Sequence, residues 1–332
     1  MNPLHLLPPE RAHQLTLWAL RHGLGPRQRF HHPALRTTLL GRELPCPIGL
    51  AAGAEKRGEA LLGWSRLGFG MVEAGTVTPH PRPGNPSPRL WRVGKGGVVN
   101  WMGLPGAGIA PFVANLQAFH HQPERQQLLL GASIAAPDEE DAALTRLAAA
   151  CAPWVDYLTL NASCPNLAHA CTTDPTASAR QQLAAAVAGA DGVPVLLKLG
   201  PSRDVEAIAR MVDGAMAAGA AGIVATNTLP WERRELADGL AFDWPQHHHN
   251  PVGGYSGPAL LAISRFMVTQ CRQRLGSGVP IIGVGGVQSG ADAVSLLNAG
   301  ADAIQLYSGL IYRGAGLLRE IADAVSILKT TA

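Results

Sequence analysis

Two carboxamides and a thiol crowd into the six-residue stretch Asn161-Ala-Ser-Cys-Pro-Asn166, directly after the apolar run Tyr157-Leu-Thr-Leu160. The carboxamides offer donors and acceptors to a flat polar ligand, and the Cys164 thiol between them can give or take a proton. Pro165 fixes the local backbone. Bulky residues that give way abruptly to polar ones read as a buried parallel strand ending in an active-site loop. Lysine adds a second signal. Of the 27 basic residues only Lys56, Lys95, Lys198 and Lys329 are lysines, and Lys56 and Lys198 lie in strand-like segments or at their ends. A compact ammonium there can point at a ring or a phosphate in a way a planar guanidinium cannot.

Groups so far apart in sequence can meet only if several strands deliver them to one end of a sheet. The strands expected are 48–52, 71–77, 128–134, 157–161, 195–199, 222–227, 280–283 and 303–307. Helical stretches alternate with them, among them 139–151, 205–218, 260–275 and 290–298, several alanine-rich and patterned at the 3.6 period. Eight strands joined by crossovers of helix length imply parallel pairing and an α/β fold, a closed (β/α)8 TIM barrel. The alternative is an open doubly wound sheet, whose early glycine fingerprint is missing. Residues 1–40 form a separate N-terminal helical segment, and 41–332 the barrel. In that segment Glu10 to His22 reads as a short helix closed by Gly23, with Leu15, Leu17, Trp18 and Leu20 giving it more apolar surface than one flank needs. It either packs on the barrel or lies at an interface, at the mouth of an apolar tunnel. A small hairpin, 37–45, leads inward from it.

In a barrel, chemistry collects at the C-terminal ends of the strands. Here those ends bring Gly53 and Lys56, Thr76, Asn161 and Cys164, Lys198, Thr226 to Thr228, Gly285 and Gly286, and Tyr307 to Gly309. Glycines at the last two ends let backbone amides approach an anion, and a helix start adds its positive pole, so these loops make a phosphate cradle. A phosphorylated cofactor, two lysines and a ring of asparagines around one thiol point to a flavin mononucleotide (FMN) dehydrogenase.

Composition excludes other classes. The net charge is only +3 with no Lys/Arg-rich block, so no nucleic-acid partner is expected. No apolar run reaches the roughly 18 residues that span a bilayer. Five cysteines without paired spacing or a signal peptide read as reduced thiols in a cytoplasmic setting. His247-His-His249 reads as a loop rather than a metal site, since three consecutive histidines do not easily face one ion. Trp231-Glu-Arg-Arg234 reads as loop surface.

The chain resembles the dihydroorotate dehydrogenases, specifically their quinone-reducing, membrane-associated class. The strings that carry the resemblance include Leu50-Ala-Ala-Gly-Ala-Glu-Lys56, Gly75-Thr-Val-Thr-Pro79, Asn100-Trp-Met-Gly103, Asn161 to Asn166, Ala225-Thr-Asn-Thr228, Gly253-Gly-Tyr-Ser-Gly257, Ile281 to Gly286 and Gln305-Leu-Tyr-Ser-Gly309. They span nearly the whole chain in the family's order. The resemblance implies oxidation of (S)-dihydroorotate to orotate, FMN as cofactor and a quinone as acceptor, with peripheral contact at the inner face of the cell membrane.

It also implies roles. Cys164 falls on the catalytic base. Lys56, Asn100, Asn161, Asn166, Asn227 and Thr228 would hold the substrate. Ala52, Gly53, Thr76, Ser133, Asn161, Lys198, Thr226, Ser256, Gly257, Gly285, Gly286, Tyr307 and Ser308 would hold the flavin. His13, Arg92 and Tyr307 would line the quinone tunnel.

Departures from the family pattern cluster around the substrate. The quinone class normally carries Ser at the base, whereas Cys belongs to the soluble classes. Glu55 stands for the usual Asp before the lysine, Trp101 for an Arg, Leu104-Pro-Gly106 for an aromatic followed by asparagine, Ser133 for an Asn, and Leu167 to Thr173 for the usual lid. The chain is therefore either a divergent dihydroorotate dehydrogenase or a paralogue acting on a related cyclic amide or ene substrate in secondary metabolism.

Overall fold

A computed structural model describes residues 3–137, 141–162 and 175–331. Eight parallel strands close on themselves in chain order: β1 (Ile48–Glu55), β2 (Met71–Val77), β3 (Leu129–Ile134), β4 (Tyr157–Leu160), β5 (Val195–Leu199), β6 (Gly222–Ala225), β7 (Ile281–Val284) and β8 (Ala303–Leu306). Every residue of β2 to β8 is buried, which is why these segments read as apolar runs without alternation. The (β/α)8 barrel expected from the sequence is the fold found, and most strand limits fall within two residues of expectation. β1 is the exception. It continues to Glu55, which pairs with Ala74 after a shift in register with β2, so Ala51 to Ala54 are lifted off the regular ladder.

The barrel interior is filled at its N-terminal end by Met71, Leu129, Tyr157, Leu196, Ile282 and Ala303, and plugged by Leu39 and Leu44 of the hairpin Thr37–Leu39/Arg42–Leu44. One layer above, alternate strands supply a polar cluster. Glu73 Oε2 accepts from Tyr157 OH (3.2 Å), Thr159 Oγ1 (3.0 Å) and Gln305 Nε2 (2.9 Å). Burial and the neighbouring Glu73 push the Tyr157 phenol well above its ordinary pKa, so it remains a donor.

A four-stranded antiparallel sheet, Leu229–Pro230, Gly254–Ser256, Gly97–Asn100 and Leu90–Val93 in spatial order, is inserted from the β2 and β6 loops. It carries Asn100 and Ser256. His247 ends the first strand of a further short hairpin, and His248 and His249 form its turn, both with positive φ (47° and 68°), as a two-residue hairpin turn needs. Trp231–Leu236 is a 3-10 turn at the surface, as the string Trp231-Glu-Arg-Arg234 suggests: Glu232, Arg233 and Arg234 are exposed, while Trp231 is half-buried against Trp244 and the Arg234 guanidinium lies 3.6 Å from its ring centroid.

Helix α1 (Pro9–Arg21) begins with Pro in its first turn and Glu10 beside it, and ends in Arg21, matching the helix dipole at both ends. It packs on α2 (Leu61–Arg66) at a point where only glycine fits: a Cβ on Gly63 would lie 2.4 Å from the Leu20 carbonyl oxygen. Two arginines tie the segment down. Arg89 pairs with Glu10 (2.7 Å), and Arg92 donates to the carbonyls of Leu4, His5 and Leu7 (3.2, 3.2 and 2.9 Å).

Candidate functional site

The C-terminal strand ends and the inserted sheet enclose a polar pocket. β1 gives it Ala51, Ala52, Gly53 and the following Lys56; β2 gives Thr76, β5 Lys198 and β7 Val284. The residues just past β4, β6, β7 and β8 contribute Asn161, Thr226 to Thr228, Gly285 and Tyr307. Asn100 and Ser256 close the pocket from the inserted sheet.

The carboxamides are oriented by one another. Ser133 and Thr76 share a hydrogen bond of 2.9 Å, Asn161 Nδ2 donates to Thr76 Oγ1 (3.0 Å), and Asn227 Nδ2 donates to Asn161 Oδ1 (3.0 Å). Their backbones are held in turn, with Asn161 N bonded to Ile134 O and Asn227 N to Leu199 O. A chain of this kind fixes which edge of each amide faces the pocket. Asn100 Nδ2 is directed to the Gly254 carbonyl (3.2 Å), and Thr226 Oγ1 to the Leu199 carbonyl.

Both lysines face this space. Lys198 is buried on β5. The Lys56 ammonium donates to Gly53 O (2.6 Å), and burial lowers its pKa to about 8. Behind Lys56, Glu55 is fully buried and its carboxylate accepts five N–H groups.

The donor set fits a phosphorylated aromatic cofactor. Gly53 has φ of +94°, and the single atom within 4 Å of a Cβ built there is on the Tyr307 ring, at 3.5 Å, so the backbone is left bare for a ligand. At the β7 end Gly285 and Gly286 also take positive φ, and a Cβ on Gly286 would lie 2.4 Å from Leu261 N. Two ammoniums, the Thr226 and Ser256 hydroxyls and the backbone at Gly53 and Gly285 suit an anion at one end and a planar ring at the other.

Tyr307 has a second neighbour. On its other side lies an apolar cavity of about 520 Å³ between α1 and the barrel, with Ala12, Ala19, Trp64, Leu67 and Ile311 in its wall. His13 and Arg92 reach it as polar groups. His13 Nε2 donates to Ala54 O (2.7 Å), and burial, reinforced by Lys56, lowers its pKa to about 3, so the ring stays neutral. Burial also pushes the Tyr307 phenol up to about 12.

The sequence-derived residues thus converge, with differences. Ser133 lies wholly behind the pocket and acts on it through Thr76. Gly257, Gly286 and Ser308 are adjacent to wall residues and not in the wall itself. Cys164, Asn166 and the segment that replaces the usual lid lie outside the described residues. Met102, Leu104, Pro105 and Leu260 line the pocket without having been singled out as ligand residues. Leu260 follows an apolar helical pattern and carries no signal, whereas the Leu104-Pro105 departure did mark its place.

The family profile for dihydroorotate dehydrogenase matches residues 34–328. The chain belongs to the dihydroorotate dehydrogenase family. It is an oxidoreductase of the class that acts on CH–CH bonds, in a family that depends on flavin. Curated relatives named dihydroorotate dehydrogenase (quinone) agree over nearly full length: the Delftia acidovorans protein is 36% identical over 97% of this chain and 95% of its own. The Cereibacter sphaeroides protein is 38% identical over 99% and 92%. Among solved structures, the ligand-free form of the Eimeria tenella DHODH superposes with a TM-score of 0.87 at 28% identity, covering 98% of this chain and 96% of that one. The same enzyme in complex with ferulenol gives 0.82 at 27%, covering 97% and 92%.

Proposed function

We propose that this chain oxidises (S)-dihydroorotate to orotate on bound FMN and passes the electrons to a quinone, with Cys164 as the base. What supports this most is the placement of Tyr307 between a polar pocket holding two lysines and the carboxamides and an apolar cavity reached by His13 and Arg92. When bound, the flavin would supply a two-electron acceptor that hydride can reduce and a quinone can reoxidise.

The chain's own residues do the rest. Asn100, Asn161, Asn227 and Thr228, with Asn166, hold the amide and carboxylate edges of the substrate, and the hydrogen bonds from Asn227 to Asn161 and from Asn161 to Thr76 orient two of these carboxamides in advance. Cys164 takes the proton from the carbon next to the one that gives up hydride, so a carbon–carbon double bond forms as both leave. A thiol with an ordinary pKa near roughly 8.5 ionises far more readily than the hydroxyl the quinone class carries there. Lys56 and Lys198 would supply positive charge to the flavin, and Ala52, Gly53, Thr76, Thr226, Ser256 and Gly285, with Gly257, Gly286 and Ser308 next to them, would hold it. His13, Arg92 and Tyr307 line the path to the quinone.

Residues 1–40 then serve as the acceptor side. Leu6, Leu15, Trp18 and Leu24 are exposed there, four of the six large exposed apolar side chains among the described residues. That patch beside the apolar cavity suits peripheral contact with a membrane, the source of a long-chain quinone. Among the described residues no helix is long and apolar enough to cross one. The apolar wall of Met102, Leu104 and Pro105 favours a second reading, a related cyclic amide as substrate.

Anaerobic bleaching of the bound flavin by dihydroorotate, set against a panel of dihydropyrimidines and cyclic imides, separates the two. Cys164→Ala is expected to retain flavin and lose reduction by about a hundredfold or more. Reduction at the parent rate in that variant removes Cys164 as the base.

A further inference from the structure

Glu55 has no role in the scheme above, yet it is the most heavily solicited carboxylate among the described residues. It is 0% exposed at the end of β1. Its Oε1 accepts the backbone N–H groups of Arg57 (3.1 Å), Gly58 (2.8 Å) and Glu59 (3.2 Å), and its Oε2 accepts Ala60 N–H (3.1 Å) and the Trp64 indole N–H (3.2 Å). All five partners are donors, so the arrangement favours the ionised carboxylate over an acid that would bring a hydrogen of its own. Burial is the larger effect and raises the Glu55 pKa above the ordinary carboxylate value, against the pull of the backbone donors.

The turn it gathers starts at Lys56 and runs into α2. The bonds to the Gly58 and Ala60 amides are buried, and a buried amide left unpaired is costly. Lys56 is thereby anchored at both ends, by the amides that follow it and by its own bond to Gly53 O. Glu55 and Glu10 support the Lys56 charge, Arg89 and Arg57 oppose it, and the neutral His13 ring stands beside it. The Trp64 indole, the fifth donor, also lines the apolar cavity, and His13 bonds the carbonyl of Ala54, the residue before Glu55.

We propose that Glu55 is a positioning residue for the reaction: by gathering the 57–60 amides and the Trp64 indole onto one buried carboxylate, it fixes the Lys56 ammonium in the polar pocket and joins that turn to the wall of the apolar cavity. This rests on the reading that Lys56 faces flavin and substrate. The extra methylene relative to aspartate matters here, because it lets one carboxylate reach the turn and the indole together.

The test compares Glu55→Gln, Glu55→Asp and Lys56→Ala as holoenzymes. In E55Q a carboxamide NH2 must face N–H donors and the charge beside Lys56 is gone. Anaerobic flavin reduction is expected to slow by about tenfold or more, and the alkaline midpoint of the flavin visible spectrum to move to lower pH. A purely structural role would lower the melting temperature and leave that midpoint in place. E55D keeps the charge and loses reach, so reduction slows while the midpoint stays, and this variant carries the test if E55Q does not fold. Parent-like reduction together with a parent-like midpoint in folded E55Q, or parent-like reduction in E55D, overturns the proposal. Parent-like reduction in K56A instead overturns the reading of Lys56 beneath it.

Discussion

Lys56 shows how one side chain carries opposing demands. Burial disfavours its charged form and brings the pKa down to about 8, against 10.5 for a free lysine. The ammonium is therefore lost as pH rises through about 8, and the rate of flavin reduction is expected to fall on that limb in a stopped-flow pH profile. Lys56→Arg should remove the limb, because a guanidinium stays protonated, and lower the plateau, because its plane does not fit where a point charge sits. An alkaline limb that persists unchanged in K56R would assign it to another group. Stability runs the other way. Between pH 8 and 10.5 the unfolded chain binds more protons at this site than the folded one, so the contribution of Lys56 to stability rises with pH across that window. The sequence singled this lysine out by its rarity; that its pKa is depressed follows from burial, which no local string reveals.

At the scale of elements, the N-terminal 3-10 turn (Pro3–Leu6) and α1 depend on two arginines of the strand Leu90–Val93 and its approach. Resemblance placed Arg92 in the quinone path, and it does line the apolar cavity, but both of its terminal nitrogens are engaged with the carbonyls of Leu4, His5 and Leu7. Arg92→Ala frees three carbonyls from a charged donor, a loss of about 1.5–3 kcal/mol in hydrogen bonding. The expected result is a lower melting temperature and a raised KM for the quinone, with dihydroorotate-driven flavin reduction unchanged; an unchanged KM would confine Arg92 to a structural part. The polar layer of Glu73, Thr159 and Gln305 was equally hidden. Glu73 sits inside a strand that reads as apolar, and its partners lie 86 and 232 residues further along the chain.

For the whole molecule, the division into two cavities at Tyr307 predicts that the two half-reactions separate. Ala19 lines the apolar cavity and is remote in the fold from the carboxamide chain. Ala19→Phe should fill part of that space, slowing reoxidation by a long-chain quinone about tenfold, in line with the 1–3 kcal/mol that overpacking typically costs, while anaerobic reduction keeps the parent rate. Equal slowing of both halves would mean that the cavities are not separate sites.

The sequence by itself determined the barrel, because eight short apolar runs joined by helix-length crossovers leave parallel closure as the favoured burial of both strand faces. It also determined the identity of most pocket residues, since polar groups placed abruptly after such runs can lie only at the strand ends. Tertiary structure alone decided how those groups bond to one another, the five-donor grip on Glu55, and the cavity under α1. Each of these is a contact between residues far apart in the chain, and its geometry arises when packing brings them together, as when Leu20 of α1 seats on Gly63 of α2.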